Sequence, residues 1–260
     1  MKKKIIALCL VVALAATAIV GGTLAYFTDT TGKMVNTFTV GNVDIDLKEP
    51  AWNPGATHTL MPGTSYDKNP TITVDEKSQD AYVFLEMTFN KYNSLLWVMA
   101  ADASADTSID FTIYNDDGGI KDAFKNDAGK FSTSRFVAAL AENNTLLNQI
   151  VGKWFTGINA SDWAVKFYDM GNVNTNLMTI RLAYIGGDDI LSANDSVTFM
   201  TAFGMPASVT QEMIDAGVTV GGQKSTFNTD LKDFQMNFTA HAIQAAGIAN
   251  IDAAYTALFK

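Results

Sequence analysis

From residue 42 onward the chain is dominated by alternation of apolar and polar positions. Val43, Ile45 and Leu47 interleave with Asn42, Asp44 and Asp46, and a period of two marks a strand with one face buried. Val83, Leu85, Met87 and Phe89 share one face opposite Tyr82, Phe84, Glu86 and Thr88. Because that second face is also partly apolar, this strand is expected to be covered on both sides. Ile109, Phe111 and Ile113 alternate with Asp110, Thr112 and Tyr114 before the turn signal Asn115-Asp116-Asp117-Gly118-Gly119. The same rule holds for Trp163, Val165 and Phe167, for Met178, Ile180, Leu182 and Tyr184, and for Val197, Phe199, Thr201 and Phe203. It holds last for Phe234, Met236, Phe238, Ala240 and Ala242. Seven such segments predict an antiparallel β-sandwich.

Helical spacing interrupts the alternation in three places. From Ser134 to Phe155, the residues Phe136, Leu140, Leu147, Ile150, Val151 and Trp154 approximate a helical stripe. A second helix is expected to open at Ser208, an N-cap with Gln211 in capping-box spacing, and to stop near Gly217. The third is Asn250 to Phe259. These read as insertions on the sandwich, the main one at about residues 120–160. Pro50, Pro54, Pro62 and Pro70 mark a long irregular connection between the first two strands. With no internal repeat and no low-complexity tract, residues 26–260 are expected to form one domain.

Composition narrows the function classes. The chain has 260 residues, 48% of them hydrophobic and 17% charged, which excludes global disorder. Its net charge of −9 makes it a poor nucleic-acid partner, since phosphate contacts need clustered Lys and Arg.

The N-terminus reads as an export signal. Lys2, Lys3 and Lys4 precede the apolar run Ile5 to Val20, and Thr23 and Ala25 supply a small-x-small cleavage pattern. Cleavage between Ala25 and Tyr26 would remove residues 1–25 with three lysines and no acids, taking the net charge to −12. The membrane is thus an expected partner only before cleavage. An uncleaved anchor is the competing reading, because the uncharged stretch reaches Thr28. The only cysteine, Cys9, lies inside the signal, so the mature chain has no thiol for disulfides, thiol catalysis or cysteine-based zinc sites.

Two N-terminal segments, Gly22-Thr23-Leu24-Ala25-Tyr26-Phe27-Thr28-Asp29 and Asn36-Thr37-Phe38-Thr39-Val40-Gly41-Asn42-Val43-Asp44-Ile45, resemble the signature of the TasA and camelysin family. Met61-Pro62-Gly63, Lys68-Asn69-Pro70-Thr71-Ile72-Thr73-Val74, Asp80-Ala81-Tyr82-Val83-Phe84 and Thr239-Ala240-His241-Ala242-Ile243-Gln244-Ala245 agree with it. Residues 115–165 do not. The resemblance implies export through a SipW-type signal peptidase, a jelly-roll-like sandwich and assembly into extracellular fibres of a bacterial biofilm matrix. It also implies donor-strand complementation, in which the freed N-terminal segment of one subunit completes a sheet in the next. The expected partners are other copies in a head-to-tail homopolymer, with other matrix proteins or polysaccharide beside them.

The residues allow an independent reading of that mechanism. From Tyr26 to Asn36 the chain carries apolar Tyr26, Phe27, Met34 and Val35 among Thr28, Thr30 and Thr31, with no proline. Such a stretch can donate and accept ladder bonds along an exposed sheet edge. Head-to-tail transfer of a strand gives an open filament when the rotation does not close. Pairing within its own subunit, or remaining unstructured, are the alternatives for this segment.

Camelysin-type relatives are classed as metallopeptidases, so a catalytic reading needs a test. A helical zinc site needs two imidazoles one turn apart with a carboxylate between them. The chain has only His58, in the Pro-rich connection, and His241, in the last strand. That spacing is absent, and neither a catalytic set nor a cofactor is expected. Asp116-Asp117 and Asp188-Asp189 beside Gly-Gly pairs read as turns rather than calcium loops. Asp44 and Asp46 read as solvated edge guards. Trp97, Trp154 and Trp163 read as core, and Trp52 as the one exposed aromatic contact. The expectation is a secreted structural protein of the matrix or cell surface, with a camelysin-like peptidase or a monomeric surface adhesin as alternatives.

Overall fold

The computed structural model describes residues 42–53, 58–171, 176–215, 219–220, 223–224, 231 and 233–260. Contacts divide the chain into Met1–Val40 and Gly41–Lys260, and every described residue belongs to the second unit. The expected signal, the Ala25/Tyr26 junction and the segment Tyr26 to Asn36 lie outside the described residues.

The strands are β1 (Ile45–Lys48), β2 (Ser65–Asp67), β3 (Thr71–Val74), β4 (Ala81–Asn90), β5 (Phe155–Thr156), β6 (Trp163–Asp169), β7 (Leu177–Tyr184), β8 (Ser196–Thr198), β9 (Ala202–Gly204), β10 (Thr219–Val220), β11 (Gln223–Lys224) and β12 (Met236–Gln244). One sheet runs β12-β4-β7-β6, antiparallel throughout. Facing it are the ladders β1-β3-β8 and β2-β9-β5. Lys68 N–H donates to Thr201 O at 3.0 Å and Phe199 N–H to Pro70 O at 3.0 Å. These bonds join the two ladders into one bent layer. The core lies between the layers, with Val83, Leu85 and Met87 from the first sheet and Ile72, Val74, Val197 and Phe203 from the second. The fold is a mainly antiparallel β-sandwich with helical insertions.

β4 is buried on both faces. Its inner residues meet the core, while Tyr82 and Phe84 on the outer face pack with Ala183 and with Ile251, Ala254 and Tyr255 of the C-terminal helix, Ile251–Phe259. Asn250 caps that helix by accepting the Ala253 N–H at 2.9 Å.

Several expectations are corrected. Ile109 to Tyr114 is not a strand: Ile109 and Ile113 are buried, but the backbone makes only a bridge from Tyr114 to Ile120. The Val197 to Phe203 segment is broken into β8 and β9, because residues 199–201 bend between the two ladders. The stripe from Ser134 to Phe155 is two helices, Thr133–Glu142 and Asn144–Val151. They are divided at Asn143, whose side chain caps the second through the Leu146 N–H at 3.0 Å. Ser208 is not an N-cap. Its hydroxyl donates to the buried Asp102 carboxylate at 2.5 Å, and Thr210 instead accepts the Met213 N–H of the short helix Gln211–Asp215. The helices between β4 and β5 begin earlier than residue 120, with Tyr92–Ala105, almost all of whose residues are buried. A helix enclosed on every side has no polar face and so no amphipathic period to read.

Residues 49–53 and 58–70 of the Pro-rich connection form a strap held to the sandwich at Lys68. Lys68, 6% exposed, pairs with Glu49 at 2.7 Å, and its Nζ lies 4.3 Å from the Trp52 ring centroid and 5.3 Å from that of Phe238. Trp52 stacks on His58 at 3.9 Å, and His58 meets Tyr66 edge-on at 4.9 Å. Trp52 is therefore half-buried between Lys68 and His58, not an exposed contact.

Orphaning a buried charge costs more than replacing the pair. Glu49→Ala is expected to lower the unfolding free energy by about 2–3 kcal/mol, below the full range for buried pairs because Glu49 keeps some solvent contact. The double change Lys68→Met with Glu49→Gln should stay within about 1 kcal/mol of the parent. Urea denaturation of the three proteins checks this.

Candidate assembly edge

A sheet edge offers unpaired N–H and C=O groups, and folded proteins keep such edges short, charged or covered. β6 is the edge of the four-stranded sheet and has no ladder partner beyond β7 among the described residues. Its side chains are also uncovered. Among the described residues the exposed large hydrophobics are Met61, Val165, Phe167, Tyr168 and Leu177, and all but Met61 lie on β6 or the adjoining end of β7.

Register explains the exposure. One inner row runs Ala240, Leu85, Leu182, Val165, and the next Phe238, Met87, Ile180, Tyr168. Leu85 is 0% exposed and Leu182 6%, whereas Val165 is 54% and Tyr168 41%. The core layer thus continues to the edge strand, but the facing layer stops short of it. Trp163, higher on the same strand, is covered by Phe199 and Tyr184.

The outer side of the edge is held differently. The ladder shifts register between Val165 and Phe167, so that Lys166 is the extra residue. The shift turns Phe167 to the outer face, beside Arg181, although simple alternation places it with Trp163 and Val165. Arg181 donates through Nε to Glu86 Oε2 at 2.6 Å and lies over the rings of Phe167 at 4.8 Å and Phe259 at 4.5 Å. Burial opposes the Arg181 charge, but Glu86 and the Tyr255 hydroxyl outweigh it and raise its pKa. Lys166 pairs with Asp252 at 2.8 Å, tying the bulge to the C-terminal helix. β6 is therefore an edge braced on its outer side and bare on its inner side at Val165 and Tyr168.

The expected donor residues Tyr26, Phe27, Thr28, Thr30, Met34 and Val35 lie outside the described residues. His58 sits in the strap and His241 on the outer face of β12, against Phe259 at 5.0 Å. The structure does not bring the two histidines into one set, and among the described residues no group of three or more His, Cys, Asp and Glu side chains is placed to hold a metal ion. The acidic pairs form turns, as expected: Asp117 accepts the Gly119 N–H at 2.8 Å, and Asp189 closes a turn on Gly186 at 3.0 Å. Trp97, Trp154 and Trp163 are core residues.

A family model described as camelysin metallo-endopeptidase matches residues 1–128. The match covers 128 of the 260 residues and supports the resemblance to the TasA/camelysin family. The camelysin match takes in β1 to β4 and the Tyr92–Ala105 helix, while β6 lies beyond it. Comparison with curated proteins and with solved structures returns no match. A metallopeptidase of the camelysin family needs a metal, and the described residues do not fit one: both imidazoles are packed against aromatic rings and neither has a companion ligand set.

Exposed and buried positions on β6 should respond oppositely to substitution. Val165→Lys with Tyr168→Lys is expected to stay within about 1 kcal/mol of the parent in urea unfolding. Trp163→Ala on the same strand should cost about 3–5 kcal/mol.

Proposed function

We propose that this chain is a secreted structural protein that assembles into extracellular matrix fibres, with the freed segment Tyr26 to Asn36 of one copy adding to β6 of the next. The observation that supports this reading most directly is the β6 edge, unpaired among the described residues and bare on the inner side at Val165 and Tyr168. An added strand supplies what that edge lacks, ladder bonds on one side and apolar cover on the other. Length is compatible. The 11 residues from Tyr26 to Asn36 reach about 36 Å when extended, and the 7 residues of β6 need about 23 Å.

Export comes first in this account. The apolar run Ile5 to Val20 tethers the precursor, a SipW-type signal peptidase cuts between Ala25 and Tyr26, and the strand is released only outside the cell. Assembly on the homopolymer then needs no cofactor.

The test separates donor from acceptor. Mature protein is expected to form filaments in electron microscopy. Deletion of Tyr26 to Asn36 should abolish them, as should Val165→Lys with Tyr168→Lys. A mixture of the two variants should give dimers and no filaments, because each retains the half that the other lacks. Unchanged filaments from the deletion would overturn the reading.

The family's printed description favours a second reading, a metallo-endopeptidase. Cleavage of a protein substrate that stops on chelation and returns on zinc addition would support it. In that case the ligands must include residues outside the described ones, since the described ones offer no set.

A further inference from the structure

The outer face of the four-stranded sheet carries a second device. His241 of β12 stands opposite Phe84 of β4 in the ladder, with Glu86 of β4 and Arg181 of β7 in the adjoining row. Its Nε2 is buried and has no hydrogen-bond partner. The ring lies edge-on to Phe259 at 5.0 Å, and that phenyl is also the ring under the Arg181 guanidinium. Phe259 further meets Phe84 at 5.7 Å and Tyr255 at 5.0 Å. One aromatic side chain at the end of the C-terminal helix thus closes over a neutral imidazole and an arginine that already holds the nearest carboxylate.

We propose that the Ile251–Phe259 helix is an acid-released latch with His241 as its trigger, and that release bares Tyr82, Phe84, Ala183 and Ile243 on the outer face of the sheet. A second proton on His241 turns Nε2 into a donor that must find an acceptor. The carboxylate in reach is Glu86, which Arg181 engages at 2.6 Å. The imidazolium then either takes Glu86 from Arg181 or leaves for water, and both movements withdraw a neighbour from Phe259. The other charged or titratable groups on the packed elements are Tyr255, beside Arg181, Tyr82 on the same face of β4, Lys260 at the end of the helix, Asp252, which is exposed and held by Lys166 of β6, and Asp46 and Lys48 of β1, which pair with each other. None of them offers Nε2 an acceptor in the structure.

Electrostatics agree with the geometry. Burial pushes His241 below the ordinary imidazole value, Glu86 opposes this, and Arg181 reinforces it. The folded state therefore prefers the neutral ring. The latch is at full strength above the unfolded value of about 6.5 and weakens as pH falls from there toward the depressed folded value. This device stands whether or not β6 accepts a strand.

Hydrogen exchange of the mature protein in its monomeric fraction tests the proposal, read on peptides spanning Ile251–Phe259 at pH 7.5 and pH 5.0 after correction for intrinsic rates. Protection is expected to drop several-fold at the lower pH. His241→Gln should hold its protection across the range, and Phe259→Ala should be unprotected at both values. Carbon-13 shifts of the His241 ring in the unmodified protein give a second measure, with a midpoint below the ordinary value matched by the Phe259 ring signals. Equal protection at both pH values, an equal loss in His241→Gln, or Phe259 signals that do not follow the imidazole would overturn the latch.

Discussion

The structure depends on a single strand that must be dry on both faces. β4 carries Val83, Leu85, Met87 and Phe89 inward and Tyr82 and Phe84 outward, all at 6% exposure or less. A strand of that composition cannot stay at the surface, because burying each large apolar side chain is worth about 1.5–3 kcal/mol. The bent layer of β1, β3, β8, β2, β9 and β5 covers one face, and the C-terminal helix covers the other. Both covers are sized to the centre of the sheet. β6, at the far margin, receives a brace on its outer side through Arg181 and Lys166 but nothing over Val165 and Tyr168.

How much of this was legible in the sequence depends on whether an element has a wet side. β1, β4, β7 and β12 fall where the period of two puts them, and the last helix occupies the run expected from Asn250 to Phe259. The double burial of β4 is legible because aromatic residues occupy the face that should be polar. The Tyr92–Ala105 helix is not, since it is buried around its whole circumference. Ile109 to Tyr114 shows the converse error: alternating burial without neighbouring strands to complete a ladder is not a sheet. At the candidate edge the strand itself is legible, but its bulge is not. Nothing in Trp163-Ala164-Val165-Lys166-Phe167 signals that one residue is skipped, so the opposite facing of Val165 and Phe167 comes only from pairing.

Family resemblance and edge geometry bear on function from different parts of the chain. The camelysin match ends at residue 128, in the helical insertion, and covers the segment proposed as donor together with the first strands of the sandwich. β6 is C-terminal to it. A donor and an acceptor carried on separate parts of one chain cannot both be satisfied by a single rigid contact between two identical patches. Such an arrangement is heterologous, and heterologous contacts propagate rather than close unless the rotation returns on itself.

Charge sets the condition under which such propagation can occur. Cut after Ala25 as proposed, the chain would carry −12 and repel its own copies, and at low ionic strength that repulsion would reach well beyond the contact. Ladder bonds and the burial of Val165 and Tyr168 act only at contact and are little affected by screening. Added salt therefore weakens the opposing force and leaves the attractive one almost untouched. In the proposed fibre the local charges do not reverse this: Lys166 is already committed to Asp252, and β6 ends in Asp169. The acidic surface then works as a barrier to encounter and the edge as the source of cohesion, so assembly of this chain should be slow to start in dilute buffer and persistent once strands are paired.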